Sequence, residues 1–168
     1  RGALVGGIRY ALLPKKSRGE TVSLMLTIRF GNADTLKDKI GAVELLGTMM
    51  SRGTQKLSYP QLQDELTRLR TELSMNSTVG LLQIQLKTKR EFVPEVIALV
   101  GDILRHPRFD ASELEVLRRQ IITSLEQNSS DPQAVAPRLV RQKLSPYGPD
   151  DIRYVQTLPE EIEMYRGV

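Results

Sequence analysis

Between residues 22 and 30 the side chains alternate, with Val22, Leu24, Leu26, Ile28 and Phe30 on one register and Ser23, Met25, Thr27 and Arg29 on the other. A period of two sends the first set to one face of an extended strand, so this segment lies on a core and turns its second face outward. Gly31-Asn32 ends it. A similar alternation recurs at 81–87, where Leu82, Ile84 and Leu86 interleave with Gln83, Gln85 and Lys87. The run at 73–77 precedes it across Thr78-Val79-Gly80, which predicts a hairpin. Residues 8–13, stopped by Pro14, read as a further strand, and the polar residues 15–19 read as a turn. Four strands are expected.

Elsewhere the spacing changes from two to three and four. Val43, Leu46 and Met50, widened by Leu45 and Met49, predict a helix over 41–50 that stops at Arg52-Gly53. Ser58 with Gln61 forms a capping box, with Pro60 in the tolerant first turn, and Leu62, Leu66 and Leu69 make the buried stripe behind it. Three more helices follow at 91–105, 110–127 and 131–144. Their stripes are Phe92, Val96, Val100 and Ile103; then Leu114, Leu117, Ile121 and Leu125; then Val135 and Leu139. Asp110 with Glu113 reads as a second capping box, and Asp131-Pro132 as an N-cap followed by proline at the first helical position. Pro137 should kink or break the last helix, because it removes a hydrogen bond and costs about 3 kcal/mol.

This order predicts an α+β fold of two layers, an antiparallel sheet of four or slightly more strands with helices packed on one face. A chain of 168 residues has room for one such domain and not for two ordinary ones. The charge of +4 is spread along the sequence rather than gathered in a block, which argues against nucleic acid as a partner. Without cysteine there is no disulfide framework and no thiolate metal site. No apolar run approaches the length of a membrane span, and the first residues lack the apolar core of a signal peptide.

Several short motifs occur in a distinctive order. They are Arg29-Phe30-Gly31 at the end of the first long strand, then Met49-Met50-Ser51-Arg52-Gly53-Thr54, Leu57-Ser58, His106-Pro107-Arg108-Phe109 ahead of Glu113 and Arg118, Ser130-Asp131-Pro132-Gln133, Pro146-Tyr147-Gly148 and Thr157-Leu158-Pro159. In this order the chain resembles the insulinase/pitrilysin family of zinc metallopeptidases, which includes the mitochondrial processing peptidase subunits and the cytochrome bc1 core proteins. The likeness covers nearly the whole sequence.

Active members hold zinc with an inverted His-x-x-Glu-His helix motif and a later glutamate, the helix glutamate polarising the attacking water. The resemblance places Glu44 and Thr48 at the two histidine positions and Gly47 at that of the general base. Anchored on Asp131-Pro132, it places Ser124 at the third ligand, 124 − 48 = 76 residues beyond Thr48. Two neutral imidazoles one helical turn apart, a third ligand and an open position are what such a site requires. All four positions carry other residues. Glu126 does not substitute for Ser124, because two residues along a helix rotate a side chain by about 200 degrees.

The expectation is therefore a chain with no catalytic residue, no metal and no cofactor of its own, at degenerate positions Glu44, Gly47, Thr48 and Ser124. The resemblance implies the non-catalytic, C-terminal type of lobe, one insulinase/pitrilysin-type unit over 1–168 cut before its last strand and helices. It would help form a peptide-binding chamber for a catalytic peptidase lobe or subunit that holds the zinc. The parent would be a zinc metalloendopeptidase, bacterial and periplasmic or cytoplasmic. The alternative is a stand-alone inactive interaction or assembly module like the core subunits. Expected partners are that catalytic lobe and a peptide substrate, and an unpaired sheet edge is expected to support self-association.

Other chemistry-bearing residues have plainer readings. His106, the lone histidine, sits beside Pro107 as a surface or C-cap residue, and Met49 and Met50 read as core filler. Arg118, Arg119, Arg138, Arg141 and Lys143 read as solvated helix faces, or else as partners for acids on another lobe. Gly6-Gly7 is too short for a phosphate loop and opens a strand rather than a helix.

Overall fold

A computed structural model describes residues 1–16 and 19–168. Its centre is an antiparallel sheet in the order β3-β5-β4, formed by β3 (Thr21–Arg29), β4 (Glu72–Thr78) and β5 (Leu81–Lys89). The register sets Leu24 opposite Leu86, Leu26 opposite Ile84 and Ile28 opposite Leu82, so the alternating apolar rows of the sequence merge on one face. Met75 opposite Ile84 and Leu73 opposite Leu86 extend those rows onto β4. A left-handed Gly80 closes the β4–β5 hairpin, at φ 77. The other face carries Ser23, Thr27, Gln83, Gln85, Ser74 and Asn76.

Helices cover the apolar face. The chain continues from β3 through α1 (Ala33–Leu36) and α2 (Ile40–Met50) to α3 (Tyr59–Arg68), then after β5 through α4 (Val93–Arg105), α5 (Ala111–Gln127), α6 (Pro132–Leu144) and α7 (Leu158–Arg166). Leu62, Leu66 and Leu69 from α3 and its end, with Val96, Val100 and Ile103 from α4, close over Leu82, Ile84 and Leu86. Each such side chain, fully buried, stabilises the fold by roughly 1.5–3 kcal/mol. Leu45 and Met49 of α2 enter a second cluster with Leu117 of α5 and Tyr165 of α7. That arrangement explains why α2 is buried on opposite sides: Met50 joins the sheet cluster, and Leu45 and Met49 the helical one.

Three expectations change. Residues 8–13 do not join the main sheet; β2 (Arg9–Tyr10) pairs instead with β1 (Gly2–Ala3) as a separate two-stranded ribbon. Gly6 and Gly7, at φ 94 and 84, turn the chain back there, and Leu12 and Leu13 stay exposed with no core beneath them. The four foreseen strands are thus three in the sheet and one outside it. The turn foreseen at 15–19 lies partly outside the described residues.

Second, α6 runs through Pro137 without a break. The one hydrogen bond lost is to the carbonyl of Gln133, an exposed residue in the first turn whose acceptor water can satisfy. Third, Asp110 caps α5 alone, accepting from the Ser112 N–H at 2.9 Å, because Glu113 is drawn off to Arg52 at 2.8 Å. That ion pair ties the end of α2 to α5, and the same guanidinium stacks over Tyr59, 4.8 Å from the ring centre. The Ser58 box is present, with the Ser58 N–H donating to Gln61 Oε1 at 2.8 Å.

Candidate functional site

Helix α2, which carries Glu44, Gly47 and Thr48, is held between β4 and α7. Gly47 is the reason it lies so close to the strand. A Cβ there would stand 2.9 Å from Asn76 C and Ser77 N, a distance real side chains do not reach. The Gly47 N–H donates to Ser77 Oγ at 2.8 Å, and that hydroxyl donates to the Glu44 carbonyl at 3.2 Å. Glycine therefore serves close backbone approach, and no carboxylate side chain fits there without moving the helix off the sheet.

On the opposite side, α7 supplies two polar side chains one turn apart, Glu161 and Tyr165. The Tyr165 hydroxyl donates to Glu44 Oε2 at 2.7 Å. Glu161 pairs with Arg138 of α6, both side chains largely covered. Burial first, and then the hydrogen bond to Glu44, push the Tyr165 phenol far above its ordinary range, so it remains a donor at any physiological pH. Neither α7 nor this contact was foreseen from the sequence. The signal was present in the capping box of Thr157 and Glu160, where Thr157 N–H donates to Glu160 Oε2 at 2.7 Å.

Thr48 is half-buried and Ser124 exposed, its hydroxyl accepting from Asn128 Nδ2 at 3.4 Å. Ser124 continues the Leu117–Ile121 stripe of α5, the face that meets α2 through the second cluster. Glu126 faces elsewhere, 3.7 Å from Arg166. Among the described residues, no three His, Cys, Asp or Glu side chains gather where they could hold a metal ion. A carboxylate engaged by a phenol, a glycine and two hydroxyls do not fit zinc, which takes imidazole, thiolate and carboxylate donors.

The other singled-out residues have structural settings. His106 is the C-cap of α4, with Nδ1 3.0 Å from Asp102 Oδ1. Partial burial raises the Asp102 carboxyl, but hydrogen bonds from His106 and Thr54 and the Lys56 charge outweigh it and hold it below the usual range. Met49 and Met50 are buried. Arg118 reaches Glu115 on its own helix and the Arg166 carbonyl at 3.2 Å, so it and Arg138 are internal ties rather than solvated faces. Arg119, Arg141 and Lys143 are exposed. No helix among the described residues is long and apolar enough to cross a membrane.

A sheet covered on one face by helices, with a glycine-bearing helix wedged against it, defines an α+β lobe built around α2. The model of the insulinase family, peptidase family M16, matches residues 10–146, and the chain belongs to that family. Among curated relatives, it is 26% identical over 119 residues to the non-peptidase homolog YmxG of Helicobacter pylori, covering 71% of this chain and 28% of that protein. It is 27% identical over 128 residues to the chloroplastic stromal processing peptidase of Pisum sativum, covering 75% of this chain and 10% of that one. This chain thus spans less than a third of the length of these relatives. Its fold matches that of a peptidase M16 inactive domain from Pseudomonas fluorescens with a TM-score of 0.68 at 14% identity, over 87% of this chain and 38% of that one. A protease from Helicobacter pylori matches with a TM-score of 0.53 at 13% identity, over 65% and 26%.

Proposed function

We propose that this chain is a non-catalytic lobe of a zinc-dependent peptidase, shaping the chamber in which a partner lobe, holding the zinc, cleaves peptides. The observation that carries this reading is the α2 helix itself. Where the family's motif would place ligands and a base, Gly47 is packed against the β4 backbone and Glu44 is tied to Tyr165. The naming of one relative as a non-peptidase homolog supports it. The positions Glu44, Gly47, Thr48 and Ser124 are then relics of a metal site, and the chain contributes surface rather than chemistry.

The test is reconstitution. The purified chain should neither hydrolyse peptides nor retain stoichiometric zinc after dialysis, and adding the family's zinc-carrying lobe from the same source should give chelator-sensitive proteolysis. Hydrolysis by the isolated chain, lost on chelation, would refute the proposal. Stable association with that lobe and no gain in activity would favour the second reading, an inactive interaction module like the core subunits of the family. The reading rests on what the family positions hold, and a second lobe is its necessary partner.

A further inference from the structure

The stripe that the sequence gives α6 is not buried. Val135 is half-buried and Leu139 is 51% exposed, and no residue of that helix reaches the core. With Leu125 of α5 and Leu158 of α7 they line an open groove of about 260 Å³. Its walls and floor come from residues 125–158 alone, at the first turn of α7 and a helix length from Val168.

Arg138 is the one charged residue on this lining. Its side chain is 20% exposed, and Nη1 donates to Glu161, which fixes the plane of the guanidinium. The other edge of the fork is unspent. Among the described residues Nε and Nη2 donate to no acceptor, and since no buried polar side-chain atom there lacks a partner, both are open to solvent. That edge offers two parallel N–H groups, the pattern that takes a carboxylate bidentately. No Asp or Glu lines the groove to compete for it, and the net charge of +4 favours the approach of an anion.

An aliphatic surface ending at a free guanidinium edge selects one kind of guest. We propose that this groove binds a carboxylate carried on an aliphatic chain, either a free aliphatic acid or the C-terminal residue of a peptide ending in leucine. The carboxylate pairs with Nε and Nη2 of Arg138, and the chain lies along Val135, Leu139 and Leu158. The volume suits one such chain and nothing larger, since sites for drug-sized molecules run from about 300 to 1,000 Å³. This site is separate from α2, so its failure would leave the chamber reading untouched, and failed reconstitution of proteolysis would leave this one untouched.

The test is titration of the 168-residue chain with octanoate and with N-acetyl-leucine, followed by NMR shifts of the backbone amides and of the arginine Nε–H groups. Saturable shifts are expected at Val135, Leu139, Leu158 and Arg138 Nε–H, with about millimolar affinity or better, the scale for ligands of this size. Octanol and N-acetyl-leucinamide lack the carboxylate and should bind at least about tenfold more weakly. Leu139→Asp sets a negative charge on an exposed part of the wall and should weaken both acids by about tenfold or more. Arg138→Lys keeps the charge beside Glu161 but loses the fork, and should weaken them similarly. Binding of octanoate alone would assign the guest to free acids, of N-acetyl-leucine alone to peptide ends, and of both to the chemistry they share. The proposal fails if neither acid gives saturable shifts at these residues, if the neutral analogues bind as tightly, or if both folded variants bind as the wild type does.

Discussion

The hydroxyl of Tyr165 donates a 2.7 Å hydrogen bond to Oε2 of Glu44, joining residues 121 positions apart. It fixes α7 across α2 at a position where the family resemblance would place a zinc ligand. Tyr165→Phe should therefore destabilise the chain by about 1–2 kcal/mol, the cost of leaving a half-buried carboxylate without its donor. Glu44→Gln keeps an acceptor and should cost less. Urea denaturation of both single variants and the double variant would give the part of the coupling that depends on the carboxylate charge, and additive losses would show that the charge adds nothing to the contact.

The same bond predicts a pH dependence with a definite sign. Burial, and then the contact with Glu44, raise the Tyr165 phenol above its unfolded value. A raised folded value means that the contribution is complete below the unfolded pKa of about 10 and declines as the pH climbs past it. Wild-type stability should fall more steeply than that of Tyr165→Phe above that pH, in denaturation series run at constant ionic strength. Parallel curves would remove Tyr165 as the cause.

Gly47 sits in a helix, where alanine would ordinarily gain up to about 1 kcal/mol. Here the added carbon would lie 2.9 Å from the backbone of Asn76 and Ser77. Gly47→Ala should instead destabilise by about 1–3 kcal/mol, the usual cost of overpacking. A rise in melting temperature would show that α2 can lift from β4 at little cost.

Rebuilding the ligand set tests the register assigned to the relic site. A chain carrying Glu44→His, Thr48→His and Ser124→Glu, with Tyr165→Phe to release the first position, should retain close to one zinc per chain after dialysis, measured by elemental analysis. With Gly47 kept, it should not hydrolyse peptides. Failure of the folded variant to hold zinc would show that Ser124 is not the third position.

Arg52 ties α2 to α5 through Glu113 at 2.8 Å and stacks on Tyr59. Arg52→Lys keeps the charge but loses the planar stacking and should cost about 1 kcal/mol, read from the urea midpoint. An unchanged midpoint would reduce this pair to a surface contact.

What could be read from the sequence were the features set by local periodicity. The alternation around Leu24 and Leu26, the hairpin at Gly80, and the stripes through Leu62 and Val96 each depend on neighbours within a few residues, and the structure keeps them. Residues 8–13 show where this stops. Their pattern fits a strand, but which partner a strand takes is decided by competing contacts, and here a glycine turn pairs them with Gly2 and Ala3 instead. Glu113 left its capping box for the same kind of reason, a distant arginine outbidding a near amide.

The sequence by itself determined what Glu44, Gly47, Thr48 and Ser124 can offer, because the chemistry of a side chain is fixed by its identity. Only the tertiary structure decided what those residues do instead. Gly47 is a spacer because the β4 backbone lies against it, and Glu44 is an acceptor because α7 brings Tyr165 to it. Those contacts join segments 30 and 121 residues apart, and packing sets them through the whole core rather than through any local pattern.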